Sequence, residues 1–93
     1  MINIENLRTF YYIATLKNLT EAAAFLQMNK SSASRQLRAL EQTLKKSLFI
    51  RSSHRLELTS FGAYLLEKAR LILFELKAIE ENTLEEGDDI KGV

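Results

Sequence analysis

Arg35 and Arg38 stand three residues apart in a segment that also holds Ser31, Ser32 and Ser34. On a helix, that spacing sends both guanidinium groups from one face. A guanidinium is a planar fork of donors that can grip a phosphate, or O6 and N7 of guanine, with two parallel hydrogen bonds. The hydroxyls lie near the start of the segment. There, free N–H groups and the helix dipole also favour an anion, and the alternative role of such hydroxyls is to cap the helix. From Lys30 to Arg55, seven Lys or Arg meet one acid, Glu41. Such an excess suits a polyanion, whose counterions are released as protein cations replace them. An ordinary solvated face is the other reading of the charge alone.

No comparable set exists for catalysis, which needs a nucleophile, an acid or base and a stabiliser of developing charge converging on one point. Glu80, Glu81, Glu85, Glu86, Asp88 and Asp89 crowd one helix end and tail, and the single imidazole, His54, falls at an expected turn. With no cysteine and one histidine, structural zinc has no ligand set. The chain is therefore read as non-enzymatic, with no metal and no cofactor.

The 93 residues, 46% hydrophobic and 27% charged with three glycines and no proline, make one small domain. A core of that size is marginal alone, and a partner chain is the expected stabiliser. The net charge of +1 conceals a split: residues 1–60 carry nine bases and four acids, residues 61–93 four bases and eight acids. The longest apolar runs, 22–26 and 71–74, fall far short of the ~20 residues that cross a bilayer, so no membrane partner is expected. The first residues lack the basic and apolar regions of a signal peptide, which points to the cytoplasm.

Periodicity supplies the elements that must hold these groups. Leu7, Phe10, Tyr11, Ala14 and Leu16 give a first helix between Asn3 and Asn18. Thr20 is the expected cap of a short second helix, with Ala22, Ala23 and Leu26 on one side, stopping near Gln27. Asn29 caps a third helix from Lys30 to about Leu44, in which Ala33, Leu37, Leu40 and Leu44 form an apolar stripe and Arg35 lies opposite. From Leu48 to Leu58 the pattern changes to period two around Ser52, Ser53 and His54, which predicts a small β-hairpin with a basic tip. Thr59 caps a last helix running to about Thr83 or Leu84.

That last helix is too long for the preceding 58 residues to cover. Its apolar residues occupy more than one stripe, so one face can meet the globule and another a second copy. A single helix folded back on its own domain is the alternative. From Gly87 to Val93 the sequence looks like a hinge or disordered tail. The expected organisation is a mainly α DNA-binding domain over 1–58, a linker and dimerisation helix over 59–86, and the tail over 87–93. Two short helices, then one with an apolar inner and a basic outer face, match the helix-turn-helix plan, with the hairpin as an added wing.

The residues Leu7, Phe10, Leu19-Thr20-Glu21-Ala22-Ala23-Ala24-Phe25-Leu26, Ser34-Arg35-Gln36-Leu37, Leu40-Glu41, Leu48-Phe49-Ile50-Arg51, Leu58-Thr59 and Gly62 carry a resemblance. In unbroken order over residues 3 to 84, the chain resembles the N-terminal DNA-binding domain of LysR-type transcriptional regulators. The resemblance implies a winged helix-turn-helix of three helices plus a β-hairpin wing, a long linker helix that pairs two chains, and sequence-specific binding of double-stranded DNA at an imperfect palindrome. It also implies a C-terminal effector-binding domain, absent from these residues, through which alone a small-molecule effector would act. A tetramer is implied for the longer protein, and a nucleoid location follows from the DNA. The 93 residues are then read as an excised fragment or a natural short form.

By the same resemblance, Thr20 would touch the DNA backbone, and Lys30, Ser31, Ser32, Ser34, Arg35 and Arg38 would face bases or phosphates. Arg51, Ser52, Ser53, His54 and Arg55 would form the wing, Arg55 reaching the minor groove. Phe61, Leu65, Ala69, Ile72, Leu76 and Ile79 would pair the two chains. The chain departs from the family pattern in two places. Lys30-Ser31 stands where Gln-Pro is common, which changes the base preference expected there. Lys45 stands in place of a turn glycine, so either Lys45 is left-handed or the turn differs; Lys46 adds charge beside it. The reading from another class is a protein-interaction module acting through the long helix.

Overall fold

The computed structural model describes residues 1–51 and 55–85, with side chains as far as residue 82. Four helices follow in order: α1 (Ile4–Leu16), α2 (Leu19–Phe25), α3 (Lys30–Leu44) and α4 (Ser60–Glu85). The first three pack pairwise, and α4 leans on α1. The protein is elongated, 56 × 24 × 20 Å.

Asparagine starts each of the first three helices. The side chain of Asn3 accepts the backbone N–H of Asn6, that of Asn18 the N–H of Glu21 and that of Asn29 the N–H of Ser32, at 3.1, 2.8 and 2.7 Å. The cap of α2 is thus Asn18 and not Thr20, which lies two residues on, within the first turn. Asn18 is extended at φ −162°, and an Asn side chain caps at least as well as Thr. Two helices end on lysines in the left-handed region, Lys17 at φ 55° and Lys45 at φ 57°. Lys45 therefore makes the glycine-type turn itself.

Phe10, Ile13 and Leu7 of α1 are completely or almost completely buried, against Ala22 of α2, Leu40 of α3, Leu48 and Phe49. The Phe10 and Phe49 rings meet at 5.8 Å. Ala22, Ala23 and Ala33 bring the helices close. Buried Thr9 of α1 donates to the Gln36 side chain of α3 at 2.6 Å, a polar tie across the pair.

The expected β-hairpin wing is not formed. Among the described residues there is no strand, only a single antiparallel bridge between Phe49 and Leu58, with the Ile50 N–H donating to Glu57 at 2.8 Å. A strand sends neighbouring side chains to opposite faces. Here consecutive Leu48 and Phe49 are both buried, so the core claims this segment before a ladder can extend. Among the described residues the fold is four helices, the last of them long, with no winged hairpin. Ser52, Ser53 and His54 of the expected tip, and the tail 87–93, lie outside the described residues.

Thr59 joins this segment to α4. Its hydroxyl accepts the Gly62 N–H at 2.9 Å and donates to the Ser47 carbonyl at 2.7 Å. Gly62 is pressed so closely that a Cβ on it would stand 2.2 Å from the Leu48 carbonyl oxygen. The 26 residues of α4 make a rod about 39 Å long. Only its first part is covered: Leu65 and Ala69 are buried in the chain's own core, with Phe61 half-buried beside them. Of the six residues expected to pair two chains, these three serve the fold of one chain, because α1 lies against that stretch. Leu76 is half-buried, and Ile72 and Ile79 are exposed. Charged residues hold a different arc of the rod. There Arg70 donates to Glu67 at 2.6 Å, which holds the Glu67 carboxyl below the usual carboxylate range and raises the Arg70 guanidinium.

Candidate nucleic-acid interface

The sites most able to bind an anion lie on and around α3. Its inner stripe (Ala33, Leu37 and Leu40) is buried, while Lys30, Ser31, Arg35 and Arg38 are exposed opposite. Arg35 donates to the Ser32 hydroxyl at 3.2 Å and Arg38 to that of Ser34 at 3.1 Å. With Asn29 capping the helix, these hydroxyls are released from that duty and steady the guanidiniums instead. Each fork keeps donors for a second partner.

Two recesses flank this face. At the start of α3, Lys17, Thr20, Lys30 and Arg55 line an open cleft of about 910 Å³ together with Glu57. Toward its end, Arg38, Lys45, Lys46 and Arg51 line a smaller one of about 360 Å³ beside Glu41. Basic side chains from well-separated parts of the chain thus meet at both ends of α3. Lys46 also sits over the Phe61 ring at 5.9 Å.

Arg51 differs from the other expected contacts. It donates to Glu41 Oε1 at 2.5 Å, while Glu41 Oε2 accepts the Leu48 N–H at 2.8 Å. Glu41 is buried within the stripe that the sequence pattern assigns to apolar residues. Its signal in the sequence is its place four residues after Leu37 as the one acid of the basic stretch. Lys17, which lines the cleft at the start of α3, follows the last periodic position of α1 and carries no signal in the sequence pattern. Ser53 and His54 lie outside the described residues.

No helix among the described residues is long and apolar enough to cross a membrane. None of their Asp and Glu side chains cluster in threes that could hold a metal ion.

A short helix bracing a second that turns a basic face outward defines a helix-turn-helix domain. Residues 4–63 match the family model described as bacterial regulatory helix-turn-helix protein, lysR family. Over 87 residues the chain is 31% identical to the HTH-type transcriptional activator IlvY of Haemophilus influenzae, covering 94% of this chain and 30% of that protein. The fold matches Vibrio fischeri DarR in complex with DNA with a TM-score of 0.84 at 26% identity, over 95% of this chain and 30% of that one. It also matches BenM_DBD in complex with catB site 1 DNA with a TM-score of 0.83 at 25% identity, over 89% and 92% of the two chains. The chain belongs to the lysR family of bacterial regulatory helix-turn-helix proteins. It is a DNA-binding regulatory domain of that family. It spans about 30% of the length of the curated relatives it matches.

Proposed function

We propose that residues 1–58 read double-stranded DNA in a sequence-specific way, with α3 in the major groove, and that residues 59–86 link and pair two such heads. The observation that carries this reading is the two-sidedness of α3, buried on Ala33, Leu37 and Leu40 and exposed on Lys30, Ser31, Arg35 and Arg38. Lys30, Arg35 and Arg38 contact base edges or phosphates, Ser31 and the N-terminal turn of α3 hold a phosphate, and Thr20 touches the backbone. Arg55 approaches the DNA from the 55–58 segment. The solved relatives DarR and BenM_DBD are complexes with DNA, which supports the same orientation here.

A homodimer follows from α4. Beyond Arg70 it exposes Leu71, Ile72, Phe74 and Ile79, and an open apolar recess formed by Ile4, Leu71, Ile72, Leu76 and Ile79 lies along it. A second copy would cover this surface and place two α3 helices about one DNA turn, ~34 Å, or a multiple apart, so the site is an imperfect palindrome. In a longer protein, a further C-terminal domain would bind a small-molecule effector and permit a tetramer. The working location is the cytoplasm, on the nucleoid.

The test is a titration of a fluorescent palindromic duplex and a scrambled duplex at two salt concentrations. Tighter binding to the palindrome, weakening steeply as salt rises, is the expected result. No binding to either duplex at low salt, with the dimer intact, would replace this reading with an interaction module.

A further inference from the structure

Lys17 ends α1 with φ 55° and ψ 35°, a left-handed conformation that a residue with a Cβ adopts at a cost and a glycine adopts freely. Its side chain is exposed at the mouth of the cleft that Thr20, Lys30 and Arg55 also line. These residues come from the turn between α1 and α2, the first turns of α2 and α3, and the segment before α4. Glu57 is the one acid among the lining residues. Among the described residues, neither Lys17 nor Lys30 has an ion-pair partner. A left-handed turn that nonetheless carries a cation, and lines a recess with other cations at the start of α3, suits an anion from outside the chain.

We infer that Lys17 binds a DNA backbone phosphate, seated in the cleft it shares with Lys30 and Arg55, and thereby fixes how deeply α3 enters the groove. The inference rests on the DNA-binding reading above. Through its backbone N–H, which donates to the Ile13 carbonyl at 2.9 Å, Lys17 closes α1 whatever its side chain does. The side chain is thus free for a separate task. The competing role is local: a cation at a helix C-terminus is favoured by the helix dipole. The two roles predict opposite signs when the side chain is removed, because glycine relieves the left-handed strain while discarding the charge.

The experiment compares the unaltered chain, Lys17→Gly and Lys17→Arg for binding to the palindromic and scrambled duplexes across a range of salt, and records Tm without DNA. Lys17→Gly is expected to lose affinity severalfold and equally on both duplexes, to reduce the salt slope by about one per half-site, and to melt no lower than the unaltered chain. Lys17→Arg should keep the slope. An unchanged affinity and slope in Lys17→Gly would overturn the assignment while leaving the DNA-binding reading intact. A weakened affinity accompanied by a lower Tm would assign the side chain to capping and overturn it equally. If the unaltered chain bound neither duplex, the reading beneath the inference would fall, and the inference with it.

Discussion

Glu41 and Arg51 are joined across ten residues by a 2.5 Å contact, and the same carboxylate takes the Leu48 N–H. Helix α3 therefore carries the anchor for the segment that follows it. The Glu41 side chain is 9% exposed and that of Arg51 64%. The hydrogen bond to Leu48 is thus sheltered, whereas the ion pair faces solvent on one side.

Glu41→Gln keeps the shape but removes the charge from a buried acceptor. A loss of about 1.5–3 kcal/mol is expected, the scale of hydrogen bonds to charged groups, measured by urea unfolding. Arg51→Met should cost less, since exposed ion pairs contribute about 0–1 kcal/mol. It should also leave the salt slope of DNA binding unchanged, because Glu41 already neutralises that cation. A slope lowered by Arg51→Met would make Arg51 a phosphate contact.

In a helix, alanine is normally better than glycine by about 1 kcal/mol. At Gly62 the sign should invert. The added methyl would strike the Leu48 carbonyl oxygen, and Gly62→Ala should lose about 1–3 kcal/mol, the range for overpacked sites. A Tm at or above that of the unaltered chain would show that the junction can yield.

The two parts of α4 should respond differently. Leu65→Ala opens a void in the core of a single chain and should cost about 2–5 kcal/mol. Ile79→Ser and Phe74→Ser change exposed positions, so each should spare the helical circular dichroism signal while shifting sedimentation toward monomer at low concentration. Unaltered sedimentation in both would remove the exposed apolar residues of this part of α4 from the dimer.

Arg35→Ala should weaken binding to the specific duplex by about 1–3 kcal/mol and relax preference at one position of each half-site. Equal losses on the scrambled duplex would make Arg35 a phosphate contact.

Glu67 has its carboxyl lowered by the Arg70 hydrogen bond. Stability from such a group is present above the ordinary carboxylate pKa and is lost as pH falls through the lowered one. Both side chains are more than half exposed, so solvent screens the pair. Glu67→Gln should leave Tm unchanged at neutral pH, and a measurable fall would mean that a partner chain shelters the pair.

The stripe of α3 could be read from spacing because Ala33, Leu37 and Leu40 point one way on any regular helix, and Asn29 stands before them as a cap. The α4 stripe was legible as apolar but not as divided. Phe61, Leu65 and Ala69 recur at helical spacing just as Ile72, Leu76 and Ile79 do, and the position of α1 determines which of them become core. Alternation around residues 48–58 suggested strands for a similar reason. A two-residue period records which side chains are apolar, whereas burial of Leu48 beside Phe49 depends on Glu41 and Gly62, which lie outside the segment. Asn18 and Thr20 were both competent caps, and the extended backbone of Asn18 decided between them. Glu41 was hidden because a carboxylate inside an apolar stripe has meaning only when its Leu48 and Arg51 partners are seen.

Gly62 leaves no clearance at the root of α4. A rod seated that tightly, whose last fully buried residue is Ala69, behaves as a lever whose fulcrum is the Leu48 carbonyl. With about 24 Å of helix beyond Ala69, a tilt of ~10° moves the far end by ~4 Å. Conversely, a load applied at the far end reaches the reading head as torque, through a joint with no slack to absorb it.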